Sequence, residues 1–400
     1  MYKILLSVFL IFSINASANL NFYKDLSLKP LDIEEFGDEL TKEIFSKPTW
    51  PKKLNFNNKD YKVSYTFNKK LTTYIKKELR RYGSDYASVV VIDNNTGKIL
   101  SAIDHNRKGR TFGKNLTFSS TSPAASIFKV ITASELIENS KVERNSIFSY
   151  SGKATTLYKY QLKDRKNRWT RKIPFQKAFA YSNNVVFGKA AIKNTNYVSL
   201  AKMANKFGFN RDLLQLVEAG NSKLFNKGED YELAELASGF NRDTMISPVH
   251  GAVIASIIAN GGLYRRPTVV DEVVDVNHDR RVWKPKYSIE RILSKRTAEN
   301  MQDMMELTVK RGTASSAFRP WKIKKIKNLD IGGKTGTITG GVPYGKRDWF
   351  VSYATTQDPK DKGISVCVMI VNVNKWYIKS TYLAKNVIQH YYSKIKDKVQ

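Results

Sequence analysis

The chain has 400 residues, 42% hydrophobic and 12% aromatic, enough apolar material for a folded core and too much for a disordered chain. Its 67 Lys+Arg against 36 Asp+Glu leave a formal charge of +31, which suits an anionic partner. The single cysteine, Cys367, excludes an internal disulfide, a cysteine-based zinc site and C-x-x-C chemistry. It lies in "SVCVMIV", which reads as a buried strand.

The chain opens "MYKILLSVFLIFSINASA". Lys3 supplies a positive start, residues 4–14 a short apolar core, and Ala16-Ser17-Ala18 a small-residue cleavage site. Residues 1–18 are therefore expected to be a cleaved export signal, which places the mature chain in the periplasm or otherwise outside the cytoplasm. An uncleaved anchor at residues 4–14 is the less favoured alternative, because the run is short for a bilayer. Export turns the positive charge away from nucleic acid and toward an anionic cell-wall or membrane surface. A lysine-rich compositional habit explains it equally well.

Residues 19–60 read as an N-terminal extension, with an acidic cluster in "DIEEFGDELTKE" and two helix-breaking prolines in "KPTWPKK". A solvated amphipathic helix is expected there, rather than one whose acids dock on the basic body. The main domain is expected to run from 61 to 400. Leu71, Tyr74, Ile75 and Leu79 recur at helical spacing, with Gly83 as a stop. "YASVVVIDNNTGKILSAI" reads as two strands joined at Asn94-Asn95-Thr96-Gly97. Ser122-Pro123 is expected to cap and start a helix whose buried stripe is Ile127, Val130, Ile131, Leu136 and Ile137.

Residues 140–325 carry mostly helical patterns and loops, with a basic excursion at 159–172 expected to be a solvated hairpin. Three strand patterns follow, "LDIGGKTGTIT", "DWFVSYAT" and "GISVCVMIVNV", then an amphipathic helix over 381–395. Short turns between these strands predict antiparallel pairing. The expected fold is α/β of the α+β type: an antiparallel five-stranded sheet flanked by helices, with an all-helical subdomain.

The chemistry centres on "PAASIFKV". Ser126 sits near a helix N-terminus, where backbone N–H groups stabilise an oxyanion, and Lys129 lies at i+3 on the same face. Lysine becomes a base only when burial or a second cation destabilises its ammonium. "GGKTGT" offers that cation in Lys334, hydroxyls for a carboxylate in Thr335 and Thr337, and a bare surface at Gly336 along which an extended substrate can lie. "YSNN" offers Ser182 as a proton shuttle and Asn184 as a donor to Lys129 or to substrate. Ser199 with Lys202, and Ser393 with Lys396, repeat the first spacing but fall in the wrong order. Arg347 and Asp348 read as a surface turn. His105, His250, His278 and His390 show no ligand spacing, so no metal and no cofactor is assigned.

Ser-x-x-Lys, Ser-x-Asn and Lys-Thr-Gly-Thr, in that order on helix, loop and strand, form the signature of penicillin-binding proteins and serine β-lactamases. From Tyr61 onward the chain resembles the transpeptidase domain of high-molecular-weight penicillin-binding proteins, down to "ISPVHGAVIASIIANGGLYRRP", "RGTASSAF" and "DWFVSYA". The resemblance implies a D,D-transpeptidase or D,D-carboxypeptidase that acts on peptidoglycan stem peptides and takes β-lactams on Ser126. The usual Pro-Gly-Ser lead-in is replaced here by Pro-Ala-Ala-Ser. The stretch before Tyr61 is too short for a glycosyltransferase domain, so the bifunctional class is not expected. Two alternatives stay open: a β-lactamase, with Glu218 near Asn221 activating the deacylating water, and a non-catalytic β-lactam sensor or wall-binding scaffold.

Overall fold

The computed structural model describes residues 31–164, 167–224, 230–319, 329–358 and 360–396. The expected export signal, and the alternative anchor within it, lie outside the described residues. Among the described residues no helix is long and apolar enough to cross a membrane.

The first element, α1 (Ile33–Ser46), is capped by Asp32, whose carboxylate accepts from the N–H groups of Glu34 and Glu35 at 3.1 Å. Phe36, Leu40 and Ile44 lie one helical turn apart on one face and are fully buried in the main core. The helix is thus docked through its apolar face, not solvated as its acidic sequence suggested. The following strands β1 (Lys53–Phe56) and β2 (Lys59–Tyr65) pair as a tight hairpin. The boundary expected at residue 61 therefore falls inside a strand.

Next come α2 (Lys69–Tyr82), with Leu71, Ile75 and Leu79 buried and Gly83 left-handed past its end, then β3 (Tyr86–Asp93) and β4 (Ile99–Asn106). A three-residue strand, β5 (Thr111–Gly113), follows. The Ser126 segment is a 3₁₀ turn over Ala125–Phe128 that runs into α3 (Lys129–Asn139). Ser122-Pro123 does not cap it. The pair is a two-residue strand against Met245–Ile246, because Ala124 N–H is taken by Thr244 O at 2.9 Å. The basic excursion leaves and rejoins the body through a ribbon, Ile147–Tyr150 paired with Arg171–Pro174.

The helical part continues with α4 (Phe175–Ala180), α5 (Asn184–Asn194), α6 (Asp230–Ser238) and α7 (Pro248–Ala259). Strands β6 (Val270–Asp275) and β7 (Arg280–Trp283) add to the N-terminal hairpin, giving a four-stranded antiparallel sheet β1-β2-β6-β7. Helix α8 (Lys295–Lys310) leads to β8 (Leu329–Thr339), β9 (Lys346–Thr356), β10 (Ile364–Asn372) and α9 (Ser380–His390).

The main sheet is antiparallel, in the order β8-β9-β10-β3-β4-β5. It has six strands, not the five expected; β5 is too short to leave an alternation pattern. Successive side chains alternate between faces, and each face has its own core. Val90, Ile92, Val351, Cys367 and Met369 pack with the helical part, while Val89, Val91, Phe350, Val366 and Val368 pack with α2 and α9. Two buried faces explain why β3, β9 and β10 read as nearly continuous apolar runs. Helix α7 is buried on every side. At Gly251 a Cβ would stand 2.8 Å from Cys367 Sγ, so the glycine lets this helix press onto the sheet. Cys367 is accordingly a buried packing residue, as its strand predicted.

Candidate active site

Edge strand β8, the Ser126 turn, α6 and the α4–α5 junction enclose a cleft of about 910 Å³. Ser126, Ser182, Asn184, Thr335, Gly336 and Thr337, all singled out from sequence, line it. Lys129 and Lys334 lie beneath, both fully buried.

Lys129 Nζ stands 2.9 Å from Ser126 Oγ and 2.6 Å from Asn184 Oδ1, and it also bonds the Ser238 carbonyl. Burial holds its amine well below the usual lysine range, and the nearby Lys334 charge adds to the effect. A neutral amine has two N–H groups and one lone pair. With Asn184 Oδ1 and Ser238 O accepting the two hydrogens, the lone pair is left for the Ser126 hydroxyl. Lys334 Nζ donates to Ser182 Oγ at 3.0 Å and to Thr335 O at 2.9 Å, and burial lowers it to about 7. The decoy serines gather no such company: Ser199 donates its backbone N–H to the Asn196 cap of its own helix, and Ser393 lies in the final turn.

Local folding explains the placement. Asn183 caps α5, its side chain accepting from Val186 N–H, so Asn184 enters the first turn with its side chain toward Lys129. Asn184 Nδ2 then donates to Thr155 O at 2.9 Å, which fixes the amide's orientation. Ser182 takes a left-handed φ of 57°, turning its hydroxyl toward Lys334.

Ala125 has φ 51°, a conformation glycine adopts freely and alanine does not. The departure from a Pro-Gly-Ser lead-in thus places a strained alanine directly before Ser126. Gly336, expected to bare the strand for an extended substrate, lines the cleft and also faces the Ser126 turn. A Cβ there would come within 3.2 Å of Ala125 and 3.3 Å of Ile127, so it lets the Ser126 turn approach β8.

Three features escaped the sequence reading. Gly239 (φ 65°) follows α6, and a Cβ on it would lie 1.8 Å from Ala125 O, so only glycine fits. A glycine after a helix was visible as a stop signal, but its partner was not. Thr313 lines the cleft with its hydroxyl 2.5 Å from that of Thr335. Arg347 and Asp348 are not a surface turn. Arg347 is fully buried, donating to Ser122 Oγ at 2.9 Å and to Pro343 O at 2.7 Å. Asp348 is buried too, which raises its carboxyl to about 6, and it accepts the Ser380 N–H at 2.8 Å. Both stand on β9, paired with β8 by Gly336↔Trp349 and Thr337↔Asp348.

Glu218 is exposed and lies outside the cleft, its N–H bonded to Thr41 Oγ1 of α1 at 3.0 Å; Asn221 bonds Asp212. Among the described residues no cluster of His, Cys, Asp or Glu can hold a metal.

Residues 87–389 match the family model described as penicillin binding protein transpeptidase domain. The peptidoglycan D,D-transpeptidase PbpA of Mycobacterium tuberculosis is 25% identical over 329 residues, covering 73% of this chain and 63% of that protein. The stage V sporulation protein D of Bacillus subtilis is 22% identical over 328 residues, covering 78% of this chain and 49% of that protein. The chain thus spans about half to two-thirds of these relatives' lengths. The fold is that of penicillin binding protein 3 from M. tuberculosis (TM-score 0.69, 18% identity, 85% and 80% of the two chains). It also matches the D,D-transpeptidase domain of an Eggerthella lenta peptidoglycan glycosyltransferase (TM-score 0.65, 23% identity, 84% of each chain). With the match running from β3 through nearly all of α9, the chain belongs to the penicillin-binding protein transpeptidase domain family.

Proposed function

We propose that the chain is a serine D,D-transpeptidase or D,D-carboxypeptidase that cleaves the terminal D-Ala from peptidoglycan stem peptides through an acyl-enzyme on Ser126. The observation that carries this reading is the buried Lys129 amine, 2.9 Å from Ser126 Oγ, with both its N–H groups otherwise engaged. The Ser126 oxygen forms a bond to the D-Ala–D-Ala carbonyl carbon while Lys129 takes its proton. Backbone N–H groups of Ser126 and Thr337 face the oxyanion. The C–N bond then breaks, and the proton passes through Ser182 to the departing amine. Thr335 and Thr337 hold the substrate carboxylate, with the Lys334 charge beneath them. Because β8 is an edge strand, its outward backbone groups can take an extended peptide as one more strand. An amine from a second stem peptide, or water, resolves the acyl-enzyme.

β-Lactams enter by the same attack, the ring amide replacing the peptide bond. The relative penicillin binding protein 3 has been solved with aztreonam. Glu218 is exposed and does not line the cleft, which counts against a lactamase-type deacylation. The test is intact-protein mass after incubation with benzylpenicillin. A stable adduct on the wild type and none on Ser126→Ala supports the reading. No adduct on folded wild type overturns it, and rapid drug turnover moves it to a β-lactamase.

A further inference from the structure

A second cavity, of about 1080 Å³, opens where the end of α2, the ends of β3 and β4 and the loop after β10 meet. It shares no lining residue with the cleft at Ser126. Five cations line it: Arg80, Arg81, Arg107, Lys108 and Arg110. The acid on its wall is Asp85, and that carboxylate is already engaged, accepting from the N–H groups of Val373 at 2.8 Å and Asn374 at 3.4 Å. Arg81 has a loose partner in Glu78 at 3.8 Å.

Two guanidiniums are held in place before any ligand arrives. Arg80 lies over the Phe112 ring at 4.8 Å, and Arg107 over Tyr377 at 4.4 Å. A further polar group, His105, lines the cavity while 5% exposed, and its Nδ1 has no hydrogen-bond partner among the described residues. Burial first, and the Arg80 charge second, keep this imidazole below its usual range.

Arg80, Arg81, Arg107 and Arg110 are exposed, and four guanidiniums lining one concavity set up a positive potential that favours an anion among them. Planar guanidinium forks match phosphate oxygens two at a time, and stacked guanidiniums lose little freedom on binding. The cavity is also larger than one ion. We propose that it is a binding site for phosphate-bearing anions, filled by a ligand that carries more than one phosphate.

The test compares Arg107→Gln/Arg110→Gln with a charge-matched control, Lys284→Gln/Lys286→Gln, on an exposed stretch elsewhere. Binding is measured at 0.15 M salt to soluble poly(glycerol phosphate), to phosphatidylglycerol vesicles and to phosphatidylcholine vesicles. The expected result is binding to one or both phosphate-rich anions, at least tenfold weaker in the site variant and within twofold of wild type in the control. Preference for the polymer or for the vesicles identifies the source. Equal losses in the two variants, or no binding to either anion, overturn the proposal. Thermal unfolding of both variants checks folding; penicillin acylation of Ser126, followed in parallel, reads the active site alone, and the site variant retains it.

Discussion

Trp349 donates its indole N–H to the carbonyl of Pro123 at 3.1 Å, and Arg347, two residues earlier on β9, donates to Ser122 Oγ at 2.9 Å. These two side chains tie the strand beside the Lys-Thr-Gly strand to the chain just ahead of Ser126. Trp349→Phe keeps most of the packing and removes the donor. The buried Pro123 carbonyl then goes unsatisfied, at a cost of about 1–3 kcal/mol. We expect acylation by penicillin to slow about 10- to 100-fold, since small misplacements of a nucleophile cost rates of that order. Stopped-flow acylation with thermal unfolding checks both effects; an unchanged acylation rate would show that the anchor is dispensable.

Gly239 and Gly336 bracket the Ser126 turn from opposite sides, and their alanine variants should differ sharply. At Gly239 a Cβ would lie 1.8 Å from Ala125 O on a left-handed backbone; at Gly336 it would meet side chains at 3.2 and 3.3 Å. Gly239→Ala is expected to lose about 3 kcal/mol or more, together with acylation, and Gly336→Ala about 1 kcal/mol. Denaturant unfolding of the pair gives the ranking, and equal losses would contradict it.

The two buried lysines set opposite limbs of a pH profile. In the proposed mechanism Lys129 acts as the base only when neutral, so acylation is expected to rise as pH passes its depressed value. Lys334 serves as a cation, so acylation of the free enzyme falls as pH rises through about 7. Lys334→Gln should lower the second-order acylation rate and abolish the falling limb. A falling limb that persists in this variant would assign it to another group.

The same burial makes a prediction for stability. Folding lowers Lys334 to about 7, below the ordinary lysine value. Between those values the unfolded chain holds the proton and the folded chain does not, so stability rises with pH across that window. Below about 7 both states are protonated, and the full cost of the buried charge remains. Relative to Lys334→Met, the wild type should therefore gain stability as pH rises from 7. Paired urea titrations at several pH values measure the difference, and parallel curves would refute it.

Glu218→Gln tests the lactamase alternative from the other side. The carboxylate is exposed beside α1 and does not line the cleft. Deacylation of the penicilloyl enzyme should change less than twofold, as followed by mass; a tenfold slowing would bring Glu218 into the mechanism.

Much of this was legible in the sequence, because it is local. Leu71, Ile75 and Leu79 turn one face of α2 inward, Asn94 to Gly97 close the β3–β4 turn, and Ser126 and Lys129 sit one turn apart whatever surrounds them. The order of the three motifs is also a property of the chain alone. What the fold added depends on approach between distant segments. The acidic face of α1 concealed an apolar one, because burial of Phe36, Leu40 and Ile44 depends on what packs there. Arg347 read as a surface residue because charge favours water, until Ser122 and Pro343 supplied partners within the core. Gly239 gave a stop signal but no hint of Ala125 O, 114 positions earlier in the sequence. The sequence determined which groups this protein brings to its site and in what order. The tertiary structure alone decided that Lys129 and Lys334 would be buried together, and burial is what lowers the pKa of two lysines in a basic chain, as the proposed mechanism requires.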